Sequence, residues 1–269
     1  MRRSPVSRWN DPHYLREKQY RDPGNLNARA ALHRRFSTND YPWQRWVFDR
    51  LDLPAEARVL ELGCGPGDLW VDNRDRLPAG WRLTLTDLSA GMVGQVRRRL
   101  GLAEHAFVYA RVDAQALPFP CRGFDAVIAN HVLYHAPCAM DVLHEVHRVL
   151  VPGGRLYAAT NGLRHMRELT ELVSRFLPRQ ETENVVASFS LETGGAQLQE
   201  VFSSVRTMRQ DNGLVVTDPQ AVVTYVRSYV SGEKSKPGLA ALGQWVHRHM
   251  ADHGALAVSK DAGMLIATK

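Results

Sequence analysis

The sequence predicts an α/β protein built on an open, mainly parallel β-sheet with a nucleotide crevice at the carboxyl ends of its strands. Three observations carry that expectation. Apolar runs of strand length alternate with segments of helical periodicity. The first of these runs, residues 59–62, enters a turn with three alternate glycines, and a helix begins directly after it. Acidic residues, Asp87 and Asp113, then stand at the ends of the next two strands, where a parallel sheet presents its carboxyl ends together.

Taken in order, residues 1–25 read as loops with one short helix near 14–20, broken by Pro5, Pro12, Pro23 and Gly24. A helix follows over 26–36, with Ala28, Leu32 and Phe36 on one face. Residues 37–40 form a turn in which Asp40 can cap the next helix, Pro42 fits its first turn, and Trp43, Val47 and Leu51 share an apolar face. Eight aromatics, from Trp9 to Phe48, crowd this region. Some are expected to cover the sheet edge and others to form a lid over residues 1–40, with the main domain spanning 41–269.

The first strand and its helix, to about residue 77, are separated from a second strand (81–86) by Pro78-Ala79-Gly80. Leu88-Ser89 opens a helix to residue 100 with Met92 on its first turn. Strands over 106–112 and 124–130, a helix over 140–150 and a strand over 155–160 complete the regular alternation. Helices are expected at 166–176 and 187–202 and a sixth strand at 205–210, followed by a turn at Asp211-Asn212-Gly213. Residues 219–254 read as a helical insertion, and 257–268 as a closing hairpin turning at Asp261-Ala262-Gly263.

The glycine spacing narrows the ligand. A dinucleotide fingerprint would need glycine at 68, where Asp68 stands, and no Lys-Ser/Thr follows to clamp a polyphosphate. Glu61 two residues ahead of Gly63, Gly65 and Gly67 suits a cationic ligand better. Asp87, twenty residues after Gly67, can accept hydrogen bonds from both ribose hydroxyls, and Asp113 one from an adenine amino group.

These landmarks, V-L-E-L-G-C-G-P-G, L-T-D-L-S, D-A-Q-A-L-P-F, F-D-A-V-I-A-N-H-V-L-Y-H and L-V-P-G-G-R-L, cover residues 58–160. In them the chain resembles the class I S-adenosylmethionine-dependent methyltransferases, most closely the ubiquinone/menaquinone C-methyltransferase-like branch with its many small-molecule N-, O- and C-methyltransferases of bacterial secondary metabolism. The resemblance implies a Rossmann-like, seven-stranded sheet with an antiparallel last strand, and S-adenosylmethionine as cofactor. It carries Glu61, Gly63, Gly65 and Gly67 to the methionine end, Asp87 to the ribose, Leu88 and Met92 to the adenine face, and Asp113 and Ala114 to the adenine edge. Asn130 and His131 match the strand end beside the reactive methyl.

His131 and His135 are the candidate general bases, since imidazole best takes a proton near neutral pH. From the aromatic N-terminal segment, Tyr14 or Tyr20 is expected against the cofactor. His144 and His147 do not make an H-E-x-x-H pair, and no metal is expected. Tyr225, Tyr229 and Trp245 are expected to cap a small acceptor from the insertion.

Composition limits the partners. The net charge of +6 lies wholly in residues 1–50, which hold 11 basic and 5 acidic residues, yet no Lys/Arg run reaches five. Nucleic acid is therefore not the expected partner, and an rRNA or tRNA methyltransferase is kept as an alternative. A methyltransferase-like cyclase or cofactor-binding protein is the other. No apolar run can span a membrane and no secretory signal opens the chain. Three cysteines without metal or redox spacing suit a reducing cytoplasm.

Overall fold

Strands β1 (Arg58–Leu62), β2 (Arg82–Asp87), β3 (Phe107–Arg111), β4 (Phe124–Asn130), β5 (Leu150–Asn161), β6 (Ser204–Val216) and β7 (Leu256–Thr268) form one sheet in the order β3-β2-β1-β4-β5-β7-β6. The computed structural model describes residues 7–101, 107–178, 185–230 and 232–269. Ala106, the expected first residue of the third strand, and the first six residues of the proposed lid lie outside them. β1 to β5 pair in parallel, and β7 is antiparallel to both its neighbours, β5 and β6. The sheet is thus the expected seven-stranded one with a single antiparallel strand.

The central strand is apolar on both faces because both are covered, with Val59, Leu60 and Leu62 at most 1% exposed. Helix α6 (Ala139–Val149) buries Val142, Leu143, Val146 and Val149 on one face. Trp46, Val47, Trp70 and Val96, from α3 (Trp43–Phe48), α4 (Asp68–Val71) and α5 (Ala90–Leu100), cover the other. The chain winds outward from β1 through β2 to β3, then returns to β4 on the other side of β1. That reversal opens a crevice at the carboxyl ends of β1 and β4.

The two expected turns near the C-terminus are strand instead. β6 and β7 each run unbroken for 13 residues, pairing Asp211 with Asp261 and Gly213 with Ser259. Opposed pairing satisfies the backbone of both segments, which outweighs their turn propensity. Gly263 serves close strand approach, since a Cβ there would meet the Met208 carbonyl oxygen at 2.2 Å. As a result a β6–β7 ribbon continues past Asn161, the last residue of β5 paired with β7.

On this ribbon a third apolar cluster gathers α7 (Arg167–Ser174), α9 (Pro219–Arg227) and α10 (Lys236–His253), together with Leu32 of α2 (Gly24–Phe36). Helices α9 and α10 occupy the expected 219–254 insertion. Local differences are smaller, and the expected short helix near 14–20 is α1 (Pro12–Tyr14) continued by a π-helical turn at Leu15–Gln19. The helix after the glycine turn ends at Val71, followed by a single 3₁₀ turn at Arg74–Arg76, and the expected helix over 187–202 is a 3₁₀ turn at Val185–Ser188 and α8 (Gly194–Gln199). Pro42, rather than Asp40, precedes α3, and no side chain caps it.

Candidate active site

The glycine turn sets the geometry. Gly63, Gly65 and Gly67 all have positive φ, at 62°, 53° and 79°, a region that side chains with a Cβ disfavour. A Cβ on Gly63 would also stand 2.6 Å from Val132, and one on Gly67 2.4 Å from Val96 of α5. The Gly65 N–H donates to Asp87 Oδ2 (3.0 Å), tying the turn to the end of β2, and the Ser89 N–H donates to Oδ1 (2.8 Å). Ser89, not Asp87, caps α5 by accepting from the Met92 N–H. Each oxygen of Asp87 thus keeps a lone pair for a ligand.

A cavity of about 1000 Å³ occupies the crevice. Glu61, Gly63, Gly65, Asp87, Leu88 and Met92 line it from the first half of the sheet. Asp113, Ala114, Asn130, His131 and His135 line it from the later strand ends, and Tyr20 from the N-terminal segment. Two candidates are not in the wall. Gly67 lies behind the turn against Val96, where its role is helix packing. Tyr14 packs edge-on to Trp9 at 6.1 Å with the Arg8 guanidinium over its ring, so Tyr20 alone of the two tyrosines reaches the cavity.

Burial shapes the electrostatics. Glu61 is 2% exposed, accepts the Trp70 indole N–H at 2.6 Å, and is pushed up to about 8 by desolvation. Desolvation pushes Asp87 up to about 6 despite its two N–H donors. The same cause lowers His131 and His135 to about 4 each, so both imidazoles are neutral at physiological pH. His131 has φ 54°, an unusual backbone state for a non-glycine residue, and lies against Trp43 with ring centroids 5.4 Å apart.

His135 is held from two sides by the N-terminal segment. The Trp9 carbonyl oxygen lies 3.0 Å from Nδ1 and can only accept, so Nδ1 carries the proton and Nε2 is the acceptor. The Tyr20 hydroxyl, 2.9 Å away, therefore donates to Nε2. Asn10 donates to the carbonyls of Tyr134 and Ala136 on either side of His135, and Arg29 donates to the Tyr20 hydroxyl oxygen. The segment also reaches the insertion, through Arg8 to the Tyr229 carbonyl and Gln19 to the Ser228 carbonyl.

Several wall residues carried no sequence signal. Arg29, His33, His165 and Lys260 line the cavity from α2, from the loop ahead of α7 and from β7. The strand-end spacing that marks Asp87 and Asp113 has no counterpart for them.

The wall fits a nucleoside carrying a cationic amino-acid tail. Carboxylates Glu61 and Asp87 flank a glycine turn whose Gly63 and Gly65 leave the cavity free of a Cβ, and Asn130 lies beside Glu61 and lowers its carboxyl against the effect of burial. Residues 59–154 match the family model described as a methyltransferase domain. Malonyl-[acyl-carrier protein] O-methyltransferase of Enterobacter lignolyticus is 30% identical over 194 residues, covering 65% of this chain and 73% of that protein. Ubiquinone/menaquinone biosynthesis C-methyltransferase of Methylococcus capsulatus is 36% identical over 117 residues, covering 42% of this chain and 47% of that protein, so this match spans about half the relative's length. Among solved structures, phosphoethanolamine N-methyltransferase 2 of Haemonchus contortus in complex with S-adenosyl-L-methionine superposes with a TM-score of 0.60 at 18% identity, covering 99% of this chain and 60% of that one. At that identity the likeness speaks for the fold.

Proposed function

Since the chain belongs to the class I S-adenosylmethionine-dependent methyltransferases, we propose that it methylates an N, O or C atom of a small-molecule acceptor, with Tyr20 and His135 removing the acceptor's proton. The cofactor is S-adenosylmethionine, which supplies an electrophilic methyl group on a sulfonium. In this reading Asp87 takes the ribose hydroxyls, and Asp113 with Ala114 the adenine edge. Leu88 and Met92 pack on the adenine face. Glu61 and the Gly63–Gly65 turn hold the methionine end, and Asn130 and His131 flank the reacting centre.

The observation that carries the proposal is the Tyr20–His135 hydrogen bond in the wall of one cavity that also contains Asp87 and Glu61. The acceptor's proton would pass to the Tyr20 oxygen and the Tyr20 proton to His135 Nε2, leaving the acceptor atom free to take the methyl group that the bound cofactor would supply. The positive charge that His135 would gain replaces the one that a bound sulfonium would bring to the site. The net charge of the buried site is therefore unchanged, which offsets the cost of a buried imidazolium. The N-terminal segment orients the base through Trp9 and excludes water, so it acts as a lid.

Single-turnover transfer from isotopically labelled S-adenosylmethionine to a panel of small hydroxyl, amine and acidic-carbon compounds tests the proposal, with labelled methyl product expected from at least one. Salt-sensitive retention and labelling of RNA would refute it in favour of a nucleic-acid substrate. Acceptor turnover with the cofactor left intact would refute it in favour of a cyclase-like role.

A further inference from the structure

Two cations of the cavity wall, Lys260 and Arg29, make no ion pair among the described residues. Lys260 sits on the β6–β7 ribbon where it runs past the sheet, and it forms part of the wall. Burial lowers its ammonium to about 8, and no carboxylate offsets that effect. The acids of the neighbouring segments face other partners, Glu171 of the wall lying 3.6 Å from Arg167. Asp261 pairs with Arg209, and Glu168 accepts from the Ser259 N–H (2.8 Å) and hydroxyl (2.8 and 2.9 Å). Glu192 takes Arg209 and the Leu163 N–H. Arg29 donates to two neutral oxygens, the Tyr20 hydroxyl at 3.3 Å and the Ser228 carbonyl at 3.5 Å. A partly buried cation without a counter-ion is costly unless a ligand supplies one.

Two imidazoles stand with Lys260. The Asp261 N–H donates to His165 Nδ1 at 3.1 Å, which leaves the ring proton on Nε2 as a donor without a protein acceptor among the described residues. His33 packs on His165 with ring centroids 6.0 Å apart, and its buried Nδ1 has no hydrogen-bond partner. Tyr225 meets His33 edge-on at 5.9 Å. Burial, reinforced by the Lys260 charge, keeps both rings neutral, with His165 near 3 and His33 well below the usual histidine value.

We propose that Lys260, His165, His33 and Tyr225 form an oxyanion subsite, and that the acceptor of this enzyme carries a carboxylate or phosphate group bound there. The Lys260 ammonium supplies the charge and His165 Nε2–H a directed hydrogen bond. A cationic acceptor would meet Lys260 and Arg29 unshielded. Through Tyr225 and Arg29 the subsite adjoins Tyr20, so the anion is a handle that positions a different atom at the Tyr20–His135 pair. The inference rests on the methyl-transfer reading for calling the bound molecule an acceptor.

The test needs no turnover. Protein saturated with S-adenosylhomocysteine is titrated calorimetrically with inorganic phosphate and, separately, with acetate, at constant ionic strength. Binding of at least one anion is expected; preference for phosphate or for acetate identifies which group the acceptor carries. Lys260→Met should weaken that binding by roughly tenfold or more, with Lys260→Arg retaining most of it and S-adenosylhomocysteine affinity unchanged in both. No binding of either anion, or equal binding by wild type and Lys260→Met, overturns the proposal. A Lys260→Met variant that loses S-adenosylhomocysteine affinity overturns it too, because Lys260 would then serve the cofactor. Anion binding that Lys260→Met weakens, in a wild-type protein that transfers no methyl group to any acceptor, would mark failure of the methyl-transfer reading alone.

Discussion

The Tyr20 hydroxyl donates to Nε2 of His135 across 2.9 Å, joining the N-terminal segment to the end of β4. Nδ1 of the same ring is engaged by the Trp9 carbonyl, so the imidazole is fixed in one tautomer with its basic nitrogen toward Tyr20. His135→Ala should lower the single-turnover rate by about 10²–10⁴ for an acceptor that must lose a proton, with cofactor affinity nearly unchanged. Tyr20→Phe should act in the same direction. Because burial holds His135 near 4, the imidazole is already in its base form above about pH 5, and the wild-type rate should show no break at the ordinary histidine pKa. His131→Ala is the control. A His135 variant with wild-type rates would assign the ring a structural role.

Cofactor affinity should depend on the charge of Asp87. In the ligand-free protein its pKa is raised to about 6. Ribose hydroxyls bond more strongly to the ionised form, so binding lowers that pKa and releases a proton wherever the free group is protonated. Asp87 should therefore add no pH dependence above about pH 7 and a fall of up to roughly tenfold per pH unit below 6, separate from the contribution of Glu61, whose carboxyl is raised to about 8. Asp87→Ala should weaken binding by about 1.5–3 kcal/mol and abolish this dependence. Calorimetry from pH 5 to 8 on both proteins measures it. A wild-type curve of the same shape as the variant's below pH 6 would remove Asp87 from the ribose site.

The lid proposal predicts a change in hydrogen exchange. Trp9, Leu15, Tyr20 and Arg29 wall the cavity, and Arg8, Asn10 and Gln19 tie the segment to both sides of it. If the segment closes over the bound cofactor, amide exchange over residues 8–36 should slow when S-adenosylhomocysteine binds. Equal exchange with and without ligand would leave the segment as a fixed cover of the sheet edge.

The glycines of the turn should differ in what they tolerate. Gly65→Ala faces the positive φ of 53° with only Leu26 nearby, at 3.4 Å, and should cost about 1–2 kcal/mol of stability. Gly67→Ala faces a positive φ and a Cβ contact of 2.4 Å with Val96, and should cost about 1–3 kcal/mol more. Denaturant unfolding of both variants compares them. Equal losses would mean that the α4–α5 contact yields freely.

Much of the cofactor half was legible because its chemistry is local. Glu61, Gly63 and Gly65 share one strand and turn, and Asp87 ends the next strand, so periodicity and spacing place them together before any long-range contact is known. Gly67 was legible as a turn glycine but not as a packing position, because Val96 approaches it from a helix 29 residues away. Tyr14 and Tyr20 looked equivalent in sequence. The turn at Leu15–Gln19 between them turns only Tyr20 into the cavity.

By itself the sequence determined the strand–turn–helix alternation, the glycine turn with its acidic strand ends, and through them the fold class. These follow from side-chain period and backbone freedom, which act within a few residues. The cofactor came from the family resemblance that those landmarks carry. Only the tertiary structure decided which residues form the proposed acceptor half. Tyr20 meets His135 across 115 residues. Lys260 reaches the cavity because Asp211 and Asp261 pair in one ribbon where each segment alone reads as a turn. Ladder hydrogen bonds and the burial of distant side chains set those choices, and their free energy exists only when segments far apart in the chain are brought together.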